Sequence, residues 1–242
     1  MKFLKIITIS LGAIAVSSLY LSCAKNKPTL VGVTDNDFSN SSLVQVYDAT
    51  VSSSRTYVYV DGAPVTGSPL SYGSVFPSGA YAFKVNAGLR SFVIKDTLSA
   101  TTQARLAFPE NFVAGKNYTI YMYDTTPSAK QITIQNDVVF PADTAARVKF
   151  ANFIYNSSDV PAVDIFSKRI NANLFTNISR TMVTDYIPYA SNGNDTLLVR
   201  ETGTTNLLAT LNAFYATPRR SYTFIYRGSH RGARVLAAFT NN

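Results

Sequence analysis

The chain has 242 residues, with 15 tyrosines and 15 phenylalanines but a single cysteine, a single histidine and only 15% charged side chains. One cysteine excludes a disulfide framework, and one histidine excludes the paired ligands of most zinc sites. The formal charge is +8 and unevenly spread: no acid follows Glu201, whereas Arg219, Arg220, Arg227, Arg231 and Arg234 all do.

The first element is an export signal, residues 1–22. Lys2 and Lys5 form a basic start, and the apolar stretch IITISLGAIAVSSLYLS (residues 6–22) is too short and too N-terminal for a membrane span. Cys23 follows at once. LYLSCAKNKP resembles a bacterial lipobox, with Ser22 fitting the pattern and Tyr20 standing where leucine is usual. The resemblance implies that Cys23 is diacylated, becomes the mature N-terminus, and anchors an exported protein to the outer membrane. Residues 23–42 then read as a lipidated N-terminus and flexible tether. TDNDFSN within it is rich in oxygen ligands but lacks the spacing and final glutamate of a calcium loop.

Strand signals begin at residue 43. VQVYDA alternates, and TYVYVDG alternates into Asp61-Gly62, a strong hairpin signal because the turn needs positive φ. GAYAFKVNAG predicts Tyr81, Phe83 and Val85 on one face with Lys84 opposite. RSFVIKD predicts Phe92 and Ile94 inward, and NYTIYMYD closes the unit before a last strand in AKQITIQ. After the linker PADTA (residues 141–145) the pattern repeats. Tyr118 recurs as Tyr222, an offset of 104, and the same offset sets VQVYDA against VKFANF and AKQITIQ against ARVLAAF. In the second unit DTLLVRE predicts Leu197 and Val199 inward. The expectation is an all-β protein of two tandem immunoglobulin-like antiparallel β-sandwiches, residues 43–140 and 146–242, held by core packing alone.

ARVKFANFIYNSSDVPAVDIF (residues 146–166), YIPYASNGNDTLLVRETGTTNLLATL (186–211) and RRSYTFIYRG (219–228) together resemble domain-of-unknown-function family 4397. AGKNYTIYMY (114–123) matches that family's closing motif in the first unit, where the second unit has Arg219-Arg220 in place of Gly-Lys. The resemblance implies exported, often lipid-anchored β-domain proteins of the cell envelope, with no assigned activity.

Residues able to carry chemistry are sparse. His230 is predicted in an exposed turn. Glu110 and Glu201 are the only glutamates, and Asp61, Asp164 and Asp185 lie near strand ends where acids form turns. No catalytic pair, metal or cofactor is expected, and the chain reads as a non-enzyme. Tyr222, Phe224 and Tyr226 alternate with polar residues beside the arginines, yet they share one face and belong to a core. That assignment and export together exclude a nucleic-acid platform. Arg227, Arg231 and Arg234 flank the last hairpin and are the candidates for anionic glycan or lipid headgroups. Tyr121 and Tyr123, with Tyr57 and Tyr59, are the candidates for stacking on sugar rings. Thr97, Thr125, Thr144 and Thr196 each follow an aspartate, a pattern that resembles an O-glycosylation acceptor. The functional expectation is an envelope binding or spacer module whose partners are the membrane and a glycan or another envelope protein. Carbohydrate capture is the more specific alternative.

Overall fold

Strands that alternate apolar and polar side chains must pair and stack to bury one face, and this chain does so in four sheets. The computed structural model describes residues 38–138, 141–156 and 158–241. The first half contains β1 (Ser41–Asp48), β2 (Tyr57–Val60), β3 (Ala63–Pro64), β4 (Val75–Phe76), β5 (Phe83–Asn86), β6 (Gly88–Lys95), β7 (Leu106–Phe112), β8 (Asn117–Tyr123) and β9 (Lys130–Asn136). The second contains β10 (Ala146–Tyr155), β11 (Val163–Ser167), β12 (Ala172–Ile178), β13 (Ile187–Tyr189), β14 (Asn194–Glu201), β15 (Leu207–Tyr215), β16 (Ser221–Ser229) and β17 (Arg234–Asn241).

In the first half the sheet β4-β1-β8-β9, with β5 also on β1, faces the sheet β3-β2-β6-β7. Val44, Val46, Ile120 and Met122 from one meet Val58, Phe92, Ile94 and Phe112 from the other. The second half stacks β13-β10-β16-β17 on β12-β11-β14-β15, with Val148, Phe150, Phe224 and Tyr226 against Ile165, Leu197 and Val199. Asp61 and Gly62 form the two-residue turn between β2 and β3 with φ of 49° and 83°, the paired positive values that such a hairpin demands.

The described residues from Phe38 onward form one compact unit. One ladder in each half is parallel rather than antiparallel: β1 on β8, with Val44 opposite Tyr118, and β10 on β16, with Val148 opposite Tyr222. Both pairings keep the 104 offset. The final strand does not. Gln135 faces Tyr118, whereas Thr240 faces Tyr222, so β17 is displaced by 105 and the second hairpin is one residue longer. A slip of one residue turns every side chain to the other face; the extra residue keeps Phe239 on the face that Ile134 occupies in the first half.

Two further expectations are corrected. β1 starts at Ser41, not at residue 43, and Ser41 and Ser42 are buried because Gly115 N–H donates to the Ser41 carbonyl and Ser42 Oγ to the Val113 carbonyl. Tyr81 is 73% exposed rather than inward, since β5 begins only at Phe83.

A third cluster joins the halves. The outer face of β1-β8-β9 packs on the outer face of β10-β16-β17 through Tyr47, Tyr121, Ala151, Phe153, Ile225 and Phe239. Tyr121 stacks on Phe153 with centroids 4.8 Å apart, and Tyr47 on Phe239 at 4.8 Å. Reciprocal positions pair across it, Gln45 of β1 with Asn241 of β17 and Lys149 of β10 with Asn136 of β9, so the contact has approximate two-fold symmetry of the isologous kind found in dimers.

Phe153→Ala should therefore lower the stability of the described unit by about 3–5 kcal/mol, the usual cost of emptying a buried aromatic site. The measurement is the urea midpoint. Leu89→Ala, at a side chain 70% exposed, is expected to shift it by less than about 0.5 kcal/mol.

Candidate functional site

The residues singled out in the sequence do not converge. Cys23 lies outside the described residues. Tyr121 is 0% exposed and belongs to the cluster between the halves, where burial raises its phenol pKa, so it is not a glycan contact. Tyr123 is half-buried against the same cluster, its ring 5.2 Å from Phe153. Tyr57 and Tyr59 are half-buried on β2, with Lys95 Nζ 5.1 Å from the Tyr59 ring centroid. No coplanar tyrosine strip is formed.

The arginine cluster also divides. Arg227 Nε donates to the Tyr47 hydroxyl at 3.0 Å and its guanidinium lies 4.2 Å from the Tyr72 ring centroid, so this charge is used between the halves. Asp124, at the end of β8, does the same in reverse. It is buried, binds Lys130 at 2.8 Å, and reaches Arg180 of the second half at 3.3 Å. The divergent endings of the two repeated strands are thus clamps across the junction. Arg231 and Arg234 remain exposed on the last hairpin. His230 is half-buried rather than solvated: its N–H donates to the Tyr155 carbonyl at 2.8 Å, and its buried Nδ1 has no partner among the described residues.

The acids act as turn staples. Asp164 is buried and accepts from Asn177 N–H at 2.8 Å, Thr202 Oγ at 3.0 Å and Gly203 N–H at 3.2 Å. Among the described residues, no group of three or more His, Cys, Asp or Glu side chains is placed to hold a metal ion. Of the four threonines, Thr97 and Thr144 are exposed, while Thr125 and Thr196 are half-buried.

Thr196 nevertheless opens onto a concavity of the second half, a groove of about 500 Å³ lined by Lys168, Arg169, Asn194, Asp195, Asn212 and Ala213. Its floor is rigid. The Asp195 carboxylate accepts from Ser167 Oγ, from Arg169 N–H at 3.0 Å and from Tyr189 Oη at 2.8 Å. Burial pushes its pKa up, but these hydrogen bonds outweigh burial and hold it below the ordinary carboxylate value. Arg169 is fixed in turn, donating to Asn192 at 2.8 Å and to the Ala190 carbonyl at 2.7 Å, with its guanidinium 4.8 Å from the Tyr189 ring centroid. The rim is free: Lys168, Asn194 and Asn212 are exposed. Tyr215 does not line the groove, but it pairs with Asn194 in the β14–β15 ladder and is 56% exposed beside it. A rigid polar floor under amides and an ammonium, with an open aromatic ring beside them, suits a polyhydroxylated ligand. The sequence marks this groove only faintly, because SNGND reads as a turn and Asn212 as a polar position in a strand.

A second, smaller cavity of about 210 Å³ sits where the halves meet, lined by Ile134, Asp137, Lys149, Thr184, Asp185 and Tyr186. Lys149 is 2% exposed, and burial lowers its pKa to about 7 although Asp185 and Asp137 oppose the change. It stands in β10 as an ordinary outward lysine would, so sequence alone does not reveal its burial.

The stability difference between wild type and Asp195→Asn should be fully present above the usual carboxylate value of 3.8, because the folded pKa is depressed. It should shrink as pH falls through the folded value. Urea unfolding at neutral pH and near pH 3 measures it; a difference independent of pH would contradict the assignment.

No family model and no curated protein matches this chain. Two of the solved structures that match align over most of it. One, described as alpha-glucan binding by a streptococcal virulence factor, covers 83% of this chain and 97% of its own at 11% identity, with a TM-score of 0.26. The other, described as alpha-glucan recognition by family 41 carbohydrate-binding modules from streptococcal virulence factors, covers 80% and 95% at 10% identity, with a TM-score of 0.25. At such TM-scores neither says anything about the ligand of this chain, which rests on the geometry of its own groove.

Proposed function

We propose that this chain is a non-enzymatic, lipid-anchored protein of the cell envelope that captures glycan in the groove of its second half. The observation that carries the reading is the groove itself: a locked Asp195–Arg169–Tyr189 floor beneath the exposed Lys168, Asn194 and Asn212, with the open ring of Tyr215 beside Asn194. Carbohydrate sites need planar hydrogen-bonding groups held in place and a ring to cover the apolar face of a sugar. Asp61, Asp124, Asp164 and Asp195 are committed to turns and clamps, which favours binding over turnover. The first half acts as the spacer between anchor and groove. The lipobox at Cys23 and the resemblance to family 4397 support an outer-membrane address.

Binding is tested by affinity electrophoresis of the purified protein through gels containing soluble polysaccharides, followed by calorimetry with oligosaccharides of any polymer that retards it. Tyr215→Ala should weaken a positive interaction roughly tenfold, about 1.4 kcal/mol, as removal of a central aromatic contact does. Retardation by no glycan overturns the glycan reading, and hydrolysis of one overturns the non-enzymatic reading. Labelled palmitate should enter wild type and not Cys23→Ala, and protease treatment of whole cells distinguishes a surface from a periplasmic leaflet.

A further inference from the structure

The approximate two-fold contact between the halves is broken at one place. On one rim, Gln45 of β1 meets Asn241 at the end of β17, with Asn241 Nδ2 3.5 Å from Gln45 Oε1. On the other, the equivalent positions hold Lys149 of β10 and Asn136 at the end of β9, and Lys149 Nζ donates to Asn136 Oδ1. An amide facing an amide is inert. An amine facing a carboxamide, both shut away from water, is a reactive pair.

The surroundings favour the reaction. Lys149 and Asn136 are 2% and 4% exposed. Asn136 Nδ2 donates to Thr119 Oγ at 2.8 Å, which fixes the plane of the carboxamide. Its carbonyl carbon lies one C=O bond, about 1.2 Å, from the oxygen that Nζ touches, so little motion separates the hydrogen-bonded pair from an attack geometry. Among the described residues Lys149 forms no ion pair, its Nζ lies 5.0 Å from the Tyr186 ring centroid, and desolvation keeps much of it as the neutral nucleophile. Asp137, Asp185 and Tyr186 line the adjoining cavity.

We infer that Lys149 and Asn136 join in an intramolecular isopeptide bond, linking the last strand of the first half to the first strand of the second. Nζ attacks Cγ of Asn136, and the developing negative charge gathers on Oδ1. The tetrahedral intermediate collapses with breakage of the Cγ–Nδ2 bond. The proton lost from Nζ passes by way of Asp185 to the departing nitrogen, which leaves as ammonia through the cavity. One amine and one primary amide become one secondary amide and ammonia, with no oxidant, cofactor or second protein required. The bond would lock the junction against pulling and proteolysis.

The test is the mass of the purified, denatured wild-type chain, followed by peptide mapping. The expected result is a chain lighter than its sequence by one ammonia, and a branched peptide in which Asn136 is joined to Lys149. Lys149→Arg and Asn136→Ala should both restore the full mass, with circular dichroism reporting whether each folds. A wild-type chain at full mass, with Lys149 open to acetylation after denaturation, overturns the inference. So does an ammonia loss that persists in Lys149→Arg, because that would be succinimide formation at Asn136-Asp137. If neither variant folds, the wild-type peptide map decides alone. Glycan binding is not involved, so this result stands or falls apart from the function of the groove.

Discussion

The structure depends on the stacking of two equivalent sheets across the middle of the molecule. Tyr121 on Phe153 and Tyr47 on Phe239 bring together faces that a lone sandwich would leave in water. The sheets of β1 and β10 are therefore buried on both sides, like the parallel sheets of α/β proteins, and their strands are apolar or tightly satisfied along their length. β16 is buried from Ser221 through Tyr226, and β10 over nearly its whole span. Each half contributes to a shared interior, and the outer sheets carry what is exposed.

That burial accounts for the polar residues at the rim. Side chains that would be free on a solvated sheet need partners here, since an unpaired buried polar group is costly. Thr119 with Asn136, Thr223 with Asn241, Arg227 with Tyr47 and Asp124 with Arg180 are the resulting pairs. The approximate symmetry makes the exceptions informative. Lysine replaces glutamine at one equivalent position, which places a buried, desolvated amine against an amide. The groove of the second half is a different kind of exception, with its buried acid supporting exposed polar side chains rather than closing the junction.

Much of the fold was legible in local pattern. Asp61-Gly62 announces its hairpin because few residues tolerate two successive positive φ values. Phe92 with Ile94, and Leu197 with Val199, stand two apart on one face of a strand, and all four are buried as that spacing requires. The repeated YT strands share an offset because the parallel ladders β1–β8 and β10–β16 preserve it. The last strand misled, since one extra residue in a hairpin shifts the repeat offset from 104 to 105 while the strand keeps its facing. Tyr121 and Arg227 misled for another reason: their positions read as exposed until a second sheet covers them. The groove was barely legible, because Lys168, Asn194 and Asn212 come from a turn and two different strands, and no spacing in the chain records their meeting.

By itself, then, the sequence determined the all-β class, the repeat, the turns and the core-facing side of most strands. Those follow from period-two alternation and from backbone conformations that only certain residues adopt. Only the tertiary structure decided which faces are covered twice, which charges are consumed in holding the halves together, and which polar residues remain free around a rigid floor. Such properties depend on distances between segments far apart in the chain, and on desolvation by neighbours that local pattern does not encode.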